Sequence, residues 1–252
     1  MFVSDLEVLG EDTDDMTDPE RRAAEHELFE LVRKPGFEGP GWNLLADSLV
    51  RHALAVLGPW VRSGWIFAVA ERNRMPLRPT EQERLLVETR FAEDFVQDTI
   101  TRALERFRRG AHDGDGWDAD GAASLGGYFL GACVAAFVEQ FRRSRRGGDL
   151  YRHPSTTPVS VVTEDGPDLN EVLAATEDVA DSAVSRLAFR SRLTGLGERD
   201  RALVWGKAMG FTGREIQQLF DFATVTAVEQ RWAELRYDHG WMTGLDAEEA
   251  AE

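Results

Sequence analysis

Residues 123–146, ASLGGYFLGACVAAFVEQFRRSRR, constrain the fold more than any other stretch of the chain. From Tyr128 to Val138 the run is almost wholly apolar, and at Glu139 it switches to a segment with four arginines. At about 100° per residue, Arg142, Arg143, Arg145 and Arg146 share about 160° of a helix surface, with Ser144 on the other side. Ser124 stands where such a helix would start. A helix of this kind buries its first half on nearly every side and ends in a comb of cations. Two readings of the comb stay open on this stretch alone. The cations could answer the C-terminal end of the helix dipole, or form an edge that binds nucleic acid.

A net charge of −16 would oppose a nucleic-acid partner if it were evenly spread. Residues 1–20 carry −8, 151–184 carry −6 and 241–252 carry −4, whereas 21–150 are neutral and 185–240 carry +2. The acid therefore sits outside the segments rich in large apolar residues. Residues 1–20 read as a disordered acidic N-terminus, 147–184 as a flexible acidic linker and 239–252 as an acidic tail. The single cysteine, Cys133, lies in the apolar run, which excludes an intrachain disulfide and fits a buried thiol. The N-terminus lacks the basic start of a signal peptide, and no run approaches the roughly 18 apolar residues of a membrane span. A cytoplasmic protein without a membrane partner is expected.

A helix is expected from Pro19 to Glu30 or Arg33, ended by KPGFEGPG at 34–41. A longer helical region follows from a cap at Asn43 to about Ala70, with Leu45, Leu49, Leu54, Leu57 and Val61 inward. MPLRPT at 75–80 is a break, Glu81–Arg90 is helical, and the Gly/Asp run at 110–123 is a connection. In FAEDFVQDTITRALERFRR, residues 91–109, Ala92, Val96, Ile100, Ala103 and Phe107 gather on one helix face. Asp94, Gln97, Asp98, Thr101 and Glu105 gather on the other. That face is either merely solvated or a docking surface for a basic helical partner.

Residues 192–238 carry the third pattern. A helix from Glu198 ends at Gly210, Thr212-Gly-Arg-Glu215 has the form of a capping box, and Asp221–Thr224 turns the chain. A second capping-box pattern, Thr226-Ala-Val-Glu229, opens a helix with Val228, Trp232 and Leu235 inward and Thr226, Gln230 and Glu234 outward. This is the layout of a helix-turn-helix, although an ordinary three-helix hairpin bundle has the same periodicity.

The order of these stretches resembles that of bacterial sigma factors of the sigma-70 family, of the two-domain extracytoplasmic-function type. AEDFVQDTITRALERF resembles the helix that binds core RNA polymerase. ASLGGYFLGACVAAFVEQFRRSRR resembles the helix that follows it, and 192–237 is similar to the C-terminal helix-turn-helix. The resemblance covers about 45–146 and 192–237. It implies an all-α protein with a sigma domain 2 at 21–146 and a sigma domain 4 at 185–238. It further implies a monomer when free, core RNA polymerase and promoter DNA as partners, and an anti-sigma factor as an optional one. Asp94, Gln97, Asp98 and Thr101 would bind core polymerase. Arg142, Arg143, Arg145, Arg146, Thr226, Gln230 and Arg231 would contact DNA. The sequence departs from the family at Ala135, where an Asn is usual, in an insertion at 71–90, and in a longer turn at 221–226.

No metal, cofactor or enzymatic activity is expected. The five His residues (26, 52, 112, 153 and 239) lack metal-ligand spacing, and neither a phosphate loop nor a nucleophile elbow is present. The rival readings are a helix-turn-helix regulator with a helical sensing or dimerisation domain, and a sigma-like interaction protein that does not read promoters.

Overall fold

The computed structural model describes residues 18–113, 116–118, 121, 123–148, 150, 189, 192, 193 and 195–244, and every regular element among them is helical. The helices are α1 (Asp18–Arg33), α2 (Gly39–Ser63), α3 (Trp65–Arg72), α4 (Glu81–Glu88), α5 (Ala92–Asp113) and α6 (Leu125–Gly147). After them come α7 (Glu198–Ala208), α8 (Gly213–Phe220) and α9 (Val225–Asp238), with a 3-10 turn at Gly240–Gly244. The chain is all-α.

Helix α6 is the centre of the bundle. Ser124 caps it, its hydroxyl accepting the Gly127 N–H at 3.1 Å. Glu25 of α1, itself buried, accepts the Leu125 N–H at 3.1 Å and sets a carboxylate at the positive end of the helix. Phe129, Cys133, Phe137 and Phe141 are completely buried, and α6 packs against α5, α2 and α3. Rings from α3 and α5 meet its own: Phe67 on Phe137 at 5.7 Å, Phe95 on Phe137 at 5.5 Å and Phe107 on Phe129 at 5.8 Å. Burial also pushes the Cys133 thiol well above the ordinary range, so it stays protonated and serves as a small apolar group.

Several boundaries differ from those expected. Helix α2 begins at Gly39, because Pro40 fits a first turn that needs no N–H, so Asn43 lies inside the helix. The helical region is cut at Gly64, which adopts φ +77 and ends α2 by donating its N–H to the Val61 carbonyl at 3.2 Å. Leu54, expected inward, is 45% exposed. Although α2 is long and apolar enough by length and composition to cross a membrane, its buried residues run from Trp42 to Ser63. Helix α5 continues to Asp113, because Ala111 adds a buried contact one turn beyond Phe107. The segment 239–252 does not start as a tail, since Met242 in the 3-10 turn is fully buried. The N-terminus up to 17, most of the linker and the tail beyond 244 lie outside the described residues.

The two helical halves, expected to be separate domains, belong to one compact unit of 18–150 and 198–244. Helices α7 and α8 pack on α2, and α7 also on α3. The Trp60 indole donates to the Leu219 carbonyl at 2.7 Å, and Trp65 meets the Phe220 ring at 6.2 Å.

Gly64 joins two buried helices in a left-handed conformation, and a Cβ there would run into the Glu88 carboxylate. Gly64→Ala should therefore destabilise the fold by about 1–2 kcal/mol, read as a lower midpoint in urea at unchanged slope.

Candidate protein-docking and nucleic-acid interfaces

Asp94, Gln97, Asp98, Thr101 and Glu105 all lie exposed on α5, while Ala92, Val96, Ile100, Ala103 and Phe107 are buried. The amphipathic split follows from a single helical period kept along α5. Two polar groups pin the buried side: the Thr99 hydroxyl donates to Gln140 Oε1 at 3.0 Å, and Gln140 Nε2 donates to Asp98 at 3.3 Å. Asp98 thus faces solvent with its carboxylate steered from α6. The Thr101 hydroxyl donates to its own helix, to the Gln97 carbonyl at 3.0 Å.

Beside this face runs a groove of about 490 Å³ between α2 and α5, lined by Trp42, Val50, Leu54, Ile100 and Leu104 and bordered by Gln97, Thr101 and Glu105. Periodicity alone did not reveal it. The available signal was an excess of apolar residues at 44–57, more than one buried face can hold: Leu44 is 71% exposed and Leu54 45%. The result is an apolar trough with a mixed polar rim, Gln97, Thr101 and Glu105 with the Arg108 guanidinium, suited to a helix with an apolar ridge.

The four arginines at the end of α6 are not equivalent. Arg142 is exposed and reaches the Pro76 carbonyl at 3.5 Å. Arg143 pairs with Glu139 at 2.8 Å, and that carboxylate also takes Arg106 of α5 at 2.7 Å. The Arg106 hydrogen bond is the main cause that holds the Glu139 carboxyl below its ordinary range. Arg146 is exposed, with Nε donating to the Arg142 carbonyl at 3.2 Å.

Arg145 differs from the other three. Its guanidinium grips both oxygens of Glu83 at 2.7 and 2.6 Å, donates to the carbonyls of Leu77 and Arg78, and lies 4.8 Å from the centre of the Phe141 ring. Glu83 is 3% exposed and doubles as the reciprocal member of the Thr80 capping box. Burial pushes the Glu83 carboxyl up, but the Arg145 guanidinium and the Thr80 donors outweigh it and hold it below its ordinary value of 4.5. One tooth of the comb therefore holds the 75–83 segment in place.

In the C-terminal half, α7 ends at Ala208, Gly210 follows with φ +78, and the Phe211 N–H returns to the Gly206 carbonyl at 2.9 Å. Thr212 and Glu215 form the expected capping box at the start of α8. Gly206 lets α7 and α8 cross closely, since a Cβ there would sit 3.0 Å from Ile216 Cγ1 and 3.2 Å from Phe220. Helix α9 starts one residue before Thr226. Thr224 is its cap, accepting the Ala227 N–H at 3.1 Å, so Thr226 lies in the first turn. Val228, Trp232 and Leu235 are buried, and Thr226, Gln230 and Glu234 are exposed.

Arg231 is only partly exposed. Nε and Nη2 bind the Asp200 carboxylate at 2.8 and 2.7 Å, and Nη1 binds Glu234 at 2.7 Å. These bonds, Asp200 first, raise the guanidinium pKa further above its ordinary value. Lys207 pairs with Glu229 at 3.1 Å, and Arg199 with Asp221 at 3.4 Å. The α8–turn–α9 segment thus presents Thr226 and Gln230 as uncharged polar groups, with most nearby cations paired internally. Among the described residues, no cluster of His, Cys, Asp and Glu is arranged to hold a metal ion.

Two predictions separate the arginines. Arg145→Ala strands the buried Glu83 carboxylate and should cost about 2–3 kcal/mol of unfolding free energy. Arg142→Ala, Arg143→Ala and Arg146→Ala together should cost under about 1 kcal/mol, because their contacts are exposed. A carboxyl whose pKa is lowered by folding stabilises the chain above its unfolded pKa, and that contribution is lost as pH falls through the folded one. The thermal midpoint of the parent should thus fall below about pH 4.5, and Glu83→Gln, less stable at neutral pH, should show a shallower fall.

No protein-family model matches the chain, and no curated protein or solved structure matches it.

Proposed function

We propose that this protein is a sigma factor of the extracytoplasmic-function type. It binds core RNA polymerase in the cytoplasm and directs promoter recognition, DNA melting and the start of transcription. The observation that carries this reading is the exposed face of Asp94, Gln97, Asp98 and Thr101 beside the apolar trough of Trp42, Val50, Leu54, Ile100 and Leu104. It lies on the helix whose sequence resembles the polymerase-binding helix of that family. A partner helix with an apolar ridge would fill the trough, while its basic flanks meet the carboxylates.

In this reading the polymerase performs the chemistry and this chain supplies address and melting. Arg142, Arg143 and Arg146 project from the end of α6 and can hold phosphates, each contact adding about 0.7–0.9 to the salt slope of binding. Gln230 offers the amide that pairs with a base edge, and Thr226 a hydroxyl for base or phosphate. Arg231 acts by bracing α9 through Asp200. A second reading is favoured by the internal pairing of Arg145, Arg231 and Lys207. There, the chain binds polymerase or an anti-sigma factor without reading promoters.

Transcription in vitro from genomic fragments, with core polymerase and with or without this protein, tests both. Specific starts that need the protein support the first reading. Binding to polymerase without new starts supports the second. Asp94→Lys with Asp98→Lys should abolish co-purification with core polymerase and leave the helical circular-dichroism signal unchanged. Undiminished co-purification would remove the α5 face from the interface.

A further inference from the structure

Helix α9 exposes a stripe of side chains, and one of them is ionised. Thr226, Glu229, Gln230, Ala233 and Tyr237 share about 100° of its surface, and all are exposed. Glu234, outside this stripe, is taken by Arg231 of the same helix. Glu229 is held from another helix: Lys207, in the last turn of α7, donates to its Oε1 at 3.1 Å. The Lys207 side chain is 16% exposed and that of Glu229 50%. The second carboxylate oxygen, Oε2, has no hydrogen-bond partner among the described residues. Gly213, the first residue of α8, makes room for the carboxylate, since a Cβ there would sit 2.6 Å from Glu229 Oε1. Groups from α7 and α8 thus fix a charged acceptor one turn after Thr226 and beside Gln230.

A half-exposed ion pair adds little to stability, and a bare carboxylate on a face that nears phosphates repels them. Lys207 offsets that repulsion and occupies one oxygen, which leaves the other to accept. An ionised carboxylate accepts hydrogen bonds and donates none. In the major groove, guanine offers O6 and N7 and thymine O4, all acceptors, so both reject it. Adenine sets its N6 amine beside the acceptor N7. Cytosine presents its N4 amine with no acceptor on its own groove edge, and is the base that suits a lone carboxylate oxygen.

We propose that Glu229 is a base-reading residue, held by Lys207 so that it accepts the N4 amine of a cytosine in the major groove. The proposal rests on the reading that α9 lies on promoter DNA. Lys207 is a positioning residue in this scheme and acts through Glu229 alone. Gly213 keeps the space that the carboxylate needs.

The test is a selection from random-sequence duplex DNA by the full-length protein with core RNA polymerase, the bound DNA being sequenced and core polymerase alone serving as background. The parent should enrich a motif in which one G·C pair is favoured over A·T by about 5- to 10-fold, the low end for a base contact because one oxygen is free. Glu229→Gln, whose amide both donates and accepts and so fits adenine, should move that one position toward A·T. Glu229→Ala should level it. Lys207→Met should weaken the preference there without changing the favoured pair. The thermal midpoint of Glu229→Gln should stay within about 2 °C of the parent. A purely structural bridge would instead lower the midpoint and leave the motif alone. Identical motifs from the parent, Glu229→Gln and Glu229→Ala would overturn the assignment and leave promoter reading standing. A parent motif whose Glu229-dependent position is an A·T pair would overturn it as well. No motif beyond that of polymerase alone would remove promoter reading itself, and the role of Glu229 with it.

Discussion

Helix α6 has no polar side between Leu125 and Val138, so it must be surrounded, and the rest of the bundle follows from that requirement. Phe129, Phe137 and Phe141 are fully buried, each contributing about 1.5–3 kcal/mol relative to exposure. An exposed ion pair at the end of the same helix contributes about 0.2–1 kcal/mol. Burial thus decides where α6 sits, and α5, α2 and α3 close around it. Once α5 has given its apolar stripe to α6, the helical period leaves Asp94, Gln97, Asp98 and Thr101 no direction but outward.

The same geometry separates the cations by use. A guanidinium with two aligned carboxylate oxygens is largely spent, as with Arg145 on Glu83 and Arg231 on Asp200. Arg142 and Arg146 keep exposed guanidinium groups without a carboxylate partner among the described residues, and Arg143 shares one with Arg106. Counting arginines in a sequence overstates the charge a polyanion can use. The electrostatic footprint here is smaller than the comb of four suggests, and it is centred on the last turns of α6.

Docking of the C-terminal helices onto α2, α3 and α4 combines two tryptophans with flanking ion pairs. Trp60 gives its indole N–H to the carbonyl of Leu219, and Trp65 packs on Phe220. The indole bond satisfies a carbonyl near the C-terminal end of α8, where helical carbonyls lack partners of their own. Arg72 and Arg199 both meet Asp221, whose side chain therefore steadies the left-handed turn on which the placement of α9 depends.

What the sequence determined by itself is local: the helical class, the cap at Ser124, the capping box at Thr212, and the acidic face of α5. These depend on neighbours within four residues, which periodicity and capping chemistry read directly. The start of α9 was misplaced because Thr224 and Thr226 are both competent caps and only backbone geometry chooses between them. Tertiary structure alone decided the trough between α2 and α5, since Leu54 is inward or outward only once α5 is placed. It likewise decided that Arg145 serves Glu83, 62 residues away, and that Arg231 serves Asp200, 31 away. Such partners are distant along the chain, and the sequence carries no spacing rule for them. An arginine's charge is local information, but the identity of its counter-charge is a property of the folded chain.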